Sequence, residues 1–448
     1  PEARLWALAR RPGVPAALRW GMVLGVLGTA LLFVLATVTP GVAVQLRFEA
    51  AGDTWALPDI AHLSICNSVT EMVQTQAYFL AAVIVLFSLI WPYVKLALML
   101  YAWLVPMSVG TRRLLLVVLD QVGKWSLTDN FTMFLLIVLF WLRWDSSELE
   151  AGSPWASFFL KCEPGTELFV FIAATVLSLV LGHSMLAIHR WQSGDFSAAG
   201  PAAAPEALCR RLTPKGARPS LLAAVGTAVA IIGTMLLVIA CWFLEIVEIQ
   251  MGGLAGAILD LSGQPCSRRY SILSIVWHLD KQGSVWLEAV LAIFVLVIPT
   301  LHLAALLLLW VVPLAVRAQL AVSALCQTLS AWSSLDVFMV AYFGTVLGGK
   351  QYGLTKFIDL VIYRQNVGPM CRGLHQSGIE CITVGITMLP AVVLVAAVAV
   401  ATLLVGSYVQ RRVLASVRAG CEAGAGLLES QGRAAAATGP NLPGFPQP

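Results

Sequence analysis

The sequence predicts an all-α polytopic membrane protein with eight transmembrane helices, arranged as two tandem parallel-repeat four-helix modules. Three observations predict it. Of the 448 residues, 59% are hydrophobic and 12% charged, against about 45–50% apolar and about 25% charged in soluble chains. The apolar residues fall into separated blocks, most of them long enough to cross a hydrocarbon layer that takes about 20 residues of helix. The chain also resembles itself at a constant offset.

Taken in order, the blocks run roughly from 20 to 46, 77 to 105, 128 to 144, 166 to 189, 219 to 246, 285 to 312, 334 to 348 and 384 to 409. The third and seventh are short. The first is too long for a signal-peptide core and reads as a true helix. Backbone in lipid must satisfy its own hydrogen bonds, and these Leu-, Val- and Ala-rich segments lack the alternation of barrel strands, so helix is the predicted solution. Residues 193–219, with Gly200-Pro201-Ala202-Ala203-Ala204-Pro205, read as a cytoplasmic linker. It separates a first four-helix module, 1–192, from a second, 220–412, and residues 413–448 read as a disordered cytoplasmic tail.

Loop charge gives the orientation. With eight spans, one side holds 17 Lys and Arg residues, among them Arg10, Arg11, Lys124, Arg210 and Arg411. The other holds 10, spread over longer loops, including Arg47, Lys161 and Arg268. The positive-inside rule places both termini in the cytoplasm. The net charge of +4 comes without interleaved basic and aromatic residues, so nucleic acid is not an expected partner.

The self-similarity is specific. At an offset of 207, Pro92, Leu96, Trp103, Pro106, Trp125, Ser126, Asp129 and Phe131 fall on Pro299, Leu303, Trp310, Pro313, Trp332, Ser333, Asp336 and Phe338. Near the start of each half, Gly28-Thr29 falls on Gly233-Thr234 at an offset of 205. Four helices per copy is an even number, so both copies enter the membrane in the same orientation.

The repeated Trp-Ser-x-x-Asp-x-Phe reads first as a capping box before the third helix of each module. Ser126 and Ser333 would accept from first-turn amides, Asp129 and Asp336 would favour the positive helix end, and Trp125 and Trp332 would anchor at the headgroups. A role in gating or partner docking is the other reading. Lys95 lies about 16 Å inside the end marked by Pro106, near mid-membrane, where a charge costs at least about 2.5 kcal/mol and marks a functional site by default. The equivalent residue in the second half is His302. Two readings stay open: Lys95 and His302 touch a ligand, or they bond carbonyls freed by the helix-interrupting Pro92 and Pro299.

Nine cysteines form no Cys-x-x-Cys pair and no zinc spacing, so no metal site is expected. Cys66, Cys162, Cys266, Cys371 and Cys381 map to outward loops, where Cys66–Cys162 and Cys266 with Cys371 or Cys381 are candidate disulfides. No nucleophile elbow or P-loop occurs, and the spans lack clustered Asp, Glu or His, so neither an enzyme nor a cofactor is expected.

Tyr270-Ser271-Ile272 followed by Gly283 and Pro299, with the Trp-Ser-x-x-Asp-x-Phe motif in both halves, resembles the paraquat-inducible protein A family, whose members include lipophilic envelope-spanning tunnel protein A. The resemblance implies two tandem four-helix domains in the inner (plasma) membrane of a bacterium, or an unspecified membrane of a eukaryote. It implies a partner, a periplasmic MCE-domain tunnel, and a role in phospholipid trafficking. Members usually carry a Cys-x-x-Cys zinc ribbon before each module, which this chain lacks. Membrane lipids are then the expected ligand, with Lys95 and His302 touching the cargo. The competing expectation is a tetraspanin-like scaffold that organises another membrane partner without transporting.

Overall fold

The computed structural model describes residues 7–10, 13–39, 42–50, 53–63, 65–74, 78–139, 142–145, 156–193, 208, 221–253, 256–257, 260, 265–281, 285–348 and 383–437. The chain is mostly helical, and its apolar helices make it a multi-pass membrane protein. Among the described residues, seven helices are long and apolar enough to cross a membrane. They are Ala16–Val38, Ala81–Leu104, Thr166–Ser193, Leu221–Phe243, Val285–Val311, Arg317–Val346 and Ala391–Val413.

In the first half the helices are α1 (Ala16–Val38), α2 (Ile65–Gln74), α3 (Tyr78–Ile84), α4 (Trp91–Leu104), α5 (Val109–Gly123), α6 (Thr128–Leu139) and α7 (Thr166–Ser193). In the second half they are α8 (Leu221–Phe243), α9 (Ile272–Lys281), α10 (Val285–Leu291), α11 (Ile298–Val311), α12 (Val316–Trp332), α13 (Leu335–Gly348) and α14 (Ala391–Ala437). A π-helical segment, Val85–Ile90, joins α3 to α4, and another, Ala292–Val297, joins α10 to α11. The two π segments, and the starts of α4 and α11, of α5 and α12 and of α6 and α13, all lie 207 residues apart.

Each π segment has a local cause. Pro92 and Pro299 sit in the first turn of α4 and α11, where a proline has no N–H to give and crowds the carbonyl four residues back. Widening the preceding turn relieves that crowding. The Trp91 and Ile298 amides then reach the Leu86 and Ile293 carbonyls five residues back, the π pattern.

The third span differs from expectation. The stretch 128–144 is a 12-residue helix, α6, about 18 Å long, followed by strand from Leu142. The helical unit begins upstream instead, with α5, and breaks at a 3₁₀ turn, Lys124–Leu127, before α6. The second half repeats this break at Ser333-Ser334, between α12 and α13, so the expected span 334–348 is the latter part of a longer unit, Arg317–Val346. Arg112, Arg113, Asp120 and Lys124 make α5 polar enough to read as loop. The structure buries Arg112, Asp120 and Lys124.

Strands correct the all-α expectation. In the first half β1 (Val42–Ala50), β2 (Asp53–Leu63), β3 (Leu142–Asp145) and β4 (Ala156–Pro164) form a sheet in the order β2-β1-β4-β3. In the second, β5 (Glu245–Gly252), β6 (Ser267–Ser271) and β7 (Thr383–Met388) are ordered β6-β5-β7. In both, the strand leaving the first helix pairs antiparallel with the strand entering the last: Val42 lies opposite Pro164, and Val247 opposite Met388. Expected helix over 39–46 and 384–390 is therefore partly strand. At the far end, α14 continues to Ala437, so residues 413–437 are helical rather than disordered. Ala, the strongest helix former, is the commonest residue there, and the first proline comes at Pro440. Most of the expected linker, 193–219, lies outside the described residues.

Repeated tryptophans tie each half together. Trp103 in α4 donates its indole N–H to the Arg19 carbonyl at 3.4 Å, and Trp310 in α11 donates to the Ala224 carbonyl at 3.0 Å. The acceptors lie 205 residues apart, in the frame of Gly28 and Gly233, and both open the first helix of their half. Thr29 and Thr234, also in that frame, bond the Gly25 and Ala230 carbonyls, each at 2.7 Å.

Candidate functional site

The two helix breaks meet. Phe131 in α6 and Phe338 in α13 make an edge-to-face contact with centroids 6.1 Å apart, so the motif copies face each other where the halves join. A polar seam runs along this junction, and its members come from both halves.

Lys124 leads it. Its ammonium lies 2.9 Å from the Asp336 carboxylate and donates to the Ser333 carbonyl at 2.7 Å. Lys124 was expected in a cytoplasmic loop; the break carries it into the junction, where the last carbonyls of α12 are open to a cation. Beside it, His183 in α7 places Nδ1 2.6 Å from Asp120 Oδ1 of α5, while the indole N–H of Trp332 donates to His183 Nε2. Trp332 lies nearly parallel to Phe294 at 5.6 Å, and Trp125 packs on Phe87 at 4.9 Å. Both motif tryptophans are partly buried and pack against the core.

Further along, Gln121 donates to the Gln327 carbonyl at 3.5 Å and accepts from Ser330 at 3.3 Å. Arg190 of α7 donates to Gln327 Oε1. Gln327 and Ser323 in turn donate to Gln410 Oε1 of α14, at 3.2 and 2.8 Å. Glutamine at 121 and 327 reaches both ways because its amide both donates and accepts.

The capping boxes are not formed as expected. The buried Ser126 hydroxyl and Asp129 Oδ1 have no hydrogen-bond partner among the described residues. In the second half Asp336 pairs across the junction with Lys124, and Ser333 offers its backbone carbonyl. A 3₁₀ turn occupies Lys124–Leu127, which tightens the turn where Ser126 was expected to cap.

Lys95 and His302 occupy equivalent places and both are buried, 1% and 2% exposed. Lys95 donates to Ser178 Oγ of α7 at 2.9 Å rather than to carbonyls near Pro92, which excludes that reading of its role. It sits at the level of the break: a Cβ on Gly123 would lie 2.5 Å from its Nζ. Among the described residues neither ring nitrogen of His302 has a hydrogen-bond partner, so the carbonyls near Pro299 do not hold it either. Its ring lies against Gly406 of α14, whose added Cβ would meet it at 3.0 Å.

Asp120, His183 and Lys124 escaped the sequence reading. Asp120 lies close enough to Lys95 to interact with its charge. Leu114-Leu115-Leu116-Val117-Val118-Leu119 immediately before Asp120 was the available signal, since six apolar residues in a row seldom form a polar loop. Of the cysteines, Cys266 carries a free thiol that donates to the Gly256 carbonyl at 3.4 Å. Cys371 and Cys381, and the side chains of Cys66 in α2 and Cys162 in β4, lie outside what the structure describes. Among the described residues no three His, Cys, Asp or Glu side chains group as metal ligands.

Residues 225–352, from α8 to just beyond α13, match the family model described as paraquat-inducible protein A. No curated protein and no solved structure matches the chain.

Proposed function

We propose that this chain, whose residues 225–352 match the family model described as paraquat-inducible protein A, is an integral membrane component of a phospholipid-trafficking system. In this reading it consists of two tandem four-helix modules, each with a broken third helix, and both termini are cytoplasmic. The observation that carries it is the interior of the first half. Lys95 is a buried ammonium with three donors and, among the described residues, one hydrogen bond, to Ser178. The same half buries Ser126, Asp129 Oδ1 and both amide atoms of Asn130 without partners.

Buried polar groups are normally satisfied, and each exception calls for an explanation. A cation with donors to spare suits an anionic, hydroxyl-bearing headgroup, and the apolar helix faces around it suit acyl chains. Cargo enters between the second and third helices of each module and reaches Lys95 or His302. The partner in this reading is an MCE-domain tunnel or another membrane protein.

Mass spectrometry of lipids co-purified with the wild type and with the Lys95→Ala/His302→Ala double variant tests it. Loss of bound phospholipid in the double variant is expected. Unchanged phospholipid overturns the site. A stoichiometric protein partner, retained by both forms and with no lipid in either, would replace the transport reading with a scaffold.

A further inference from the structure

We propose that α9 lies in the lipid headgroup layer on the strand side of the membrane, with Trp277 as its anchor in the bilayer. The partner is the surrounding phospholipid bilayer rather than a cargo molecule, so the inference goes beyond the trafficking reading and does not depend on it.

The second helical unit of each half marks the edge of the membrane. Phe79, Ile90 and Tyr101 are exposed along the unit that runs from α3 through α4, and Trp286, Val297 and Leu308 along the unit from α10 through α11. The two sets match position by position at the offset of 207. From Phe79 to Tyr101 such a helix covers about 33 Å, close to the roughly 30 Å of a hydrocarbon core. An apolar stripe left open at one register in both halves faces what both halves share, the surrounding lipid. Phe79 and Trp286, at the strand-side ends of the stripes, therefore lie at the interface where aromatic rings collect.

Helix α9 is held at that level from both ends. It starts directly after β6, where the Ser274 amide donates to Ser271 Oγ at 3.1 Å and the Ser271 amide donates to Ser274 Oγ at 2.7 Å, the reciprocal bonds of a capping box. It ends at Lys281, and α10 begins at Val285. So short a connection keeps the two ends within about 14 Å, and the helices pack on each other. The level of Trp286 is thus also the level of α9.

Its two faces differ. Ile272, Ile275, Val276 and Leu279 are buried, a stripe at helical spacing, and α9 packs on α6 of the first half and α8 of the second. Trp277 falls on the opposite side of the helix and is 61% exposed, beside a Trp286 that is 77% exposed. On the flank between, His278 donates from Nδ1 to the Ser274 carbonyl at 2.7 Å and meets the Tyr270 ring edge-on at 5.1 Å. An indole turned away from the protein at this depth puts its ring toward acyl chains and its N–H toward headgroups, as in other interfacial helices. The copies diverge here: α2 begins 207 residues before α9 but carries Thr70 where α9 carries Trp277. The aromatic anchor belongs to the second half, and the packing of α9 on α6 extends its hold to the first.

The test is fluorine NMR of the full chain in phospholipid nanodiscs, with fluorotryptophan at its fifteen tryptophan positions. The Trp277 and Trp286 signals are assigned as those absent from Trp277→Phe and Trp286→Phe, and Trp277→Tyr assigns the first a second time. One sample carries a phospholipid with its nitroxide just below the headgroup, another a gadolinium chelate in the water. Expected is broadening of both signals by the nitroxide lipid at least about twice that of the buried Trp103. A Trp277 signal broadened by the chelate and not by the nitroxide lipid overturns the proposal, because α9 then lies in water. A signal broadened by neither overturns it too, because protein, such as a second copy of the chain, then covers the helix. Neither probe reports on bound cargo, so this anchor and the trafficking reading fail separately.

Discussion

Lys124 and Asp336 show what a buried charge demands of its surroundings. Their side chains are 3% and 17% exposed, and removing one partner of a buried pair leaves the other uncompensated, at a cost of about 3–5 kcal/mol. Lys124→Met or Asp336→Leu alone is expected to lower the melting temperature in detergent sharply, while the double variant recovers most of the loss. If the two single effects simply add, the pair is not coupled. Gly123→Ala probes Lys95 without altering its charge, because the new methyl group would occupy the ammonium's place and also press Leu179 at 3.0 Å. It should release bound phospholipid as Lys95→Ala does; a variant that keeps its lipid would separate the position of Lys95 from cargo binding. Lys95 and His302 were legible in the sequence because depth along one helix is arithmetic. Asp120 and His183 were not, because each lies on a different helix and nothing in the chain states that α5 and α7 touch.

At the scale of elements, the π segments and the helix breaks carry the information that hydropathy lacks. Pro92→Ala and Pro299→Ala restore an amide and remove the crowding that widens the preceding turn. Each is expected to keep or raise thermal stability while reducing lipid retention, since the relaxed helix would turn Lys95 or His302 off its present line. Reduced stability with full lipid retention would show that the wide turn serves packing alone. The strands were within reach of the sequence. Val42, Val44, Leu46 and Phe48 alternate with Ala43, Gln45, Arg47 and Glu49, a two-residue period that signals a strand. That short alternation was absorbed into the long apolar block before it. Helix α5 was lost for the opposite reason: its charges look solvated until a partner half supplies Asp336 and His183 meets Asp120.

Across the whole molecule, the repeat was the most legible feature and the junction the least. Tryptophan and proline spacing revealed the 207-residue frame directly, because each copy must fold its own Trp103 or Trp310 bond. What the copies do together depends on where they have diverged: Asp120 is matched by Gln327 and Lys124 by Ala331, so the ion pair of Lys124 with Asp336 crosses the junction in one direction and has no repeat-related counterpart. The seam should therefore hold the halves without a covalent link. Residues 1–205 and 206–448, expressed as two chains in one cell, are expected to co-purify, and Asp336→Lys should abolish co-purification while leaving each fragment in the membrane. Fragments that stay associated with Asp336→Lys would place the binding energy elsewhere.

The strand pairs that join β1 to β4 and β5 to β7 bear on how such a molecule can flex. In each half they join the strand after the first helix to the strand before the last through backbone hydrogen bonds, which substitutions other than to proline leave in place. A bundle stapled at one end can spread only at the other, as a pair of tongs does. Away from the strands, Trp103 and Trp310 bond the opposite ends of the first helices, so each half is tied at both ends, by a sheet at one and by an indole at the other.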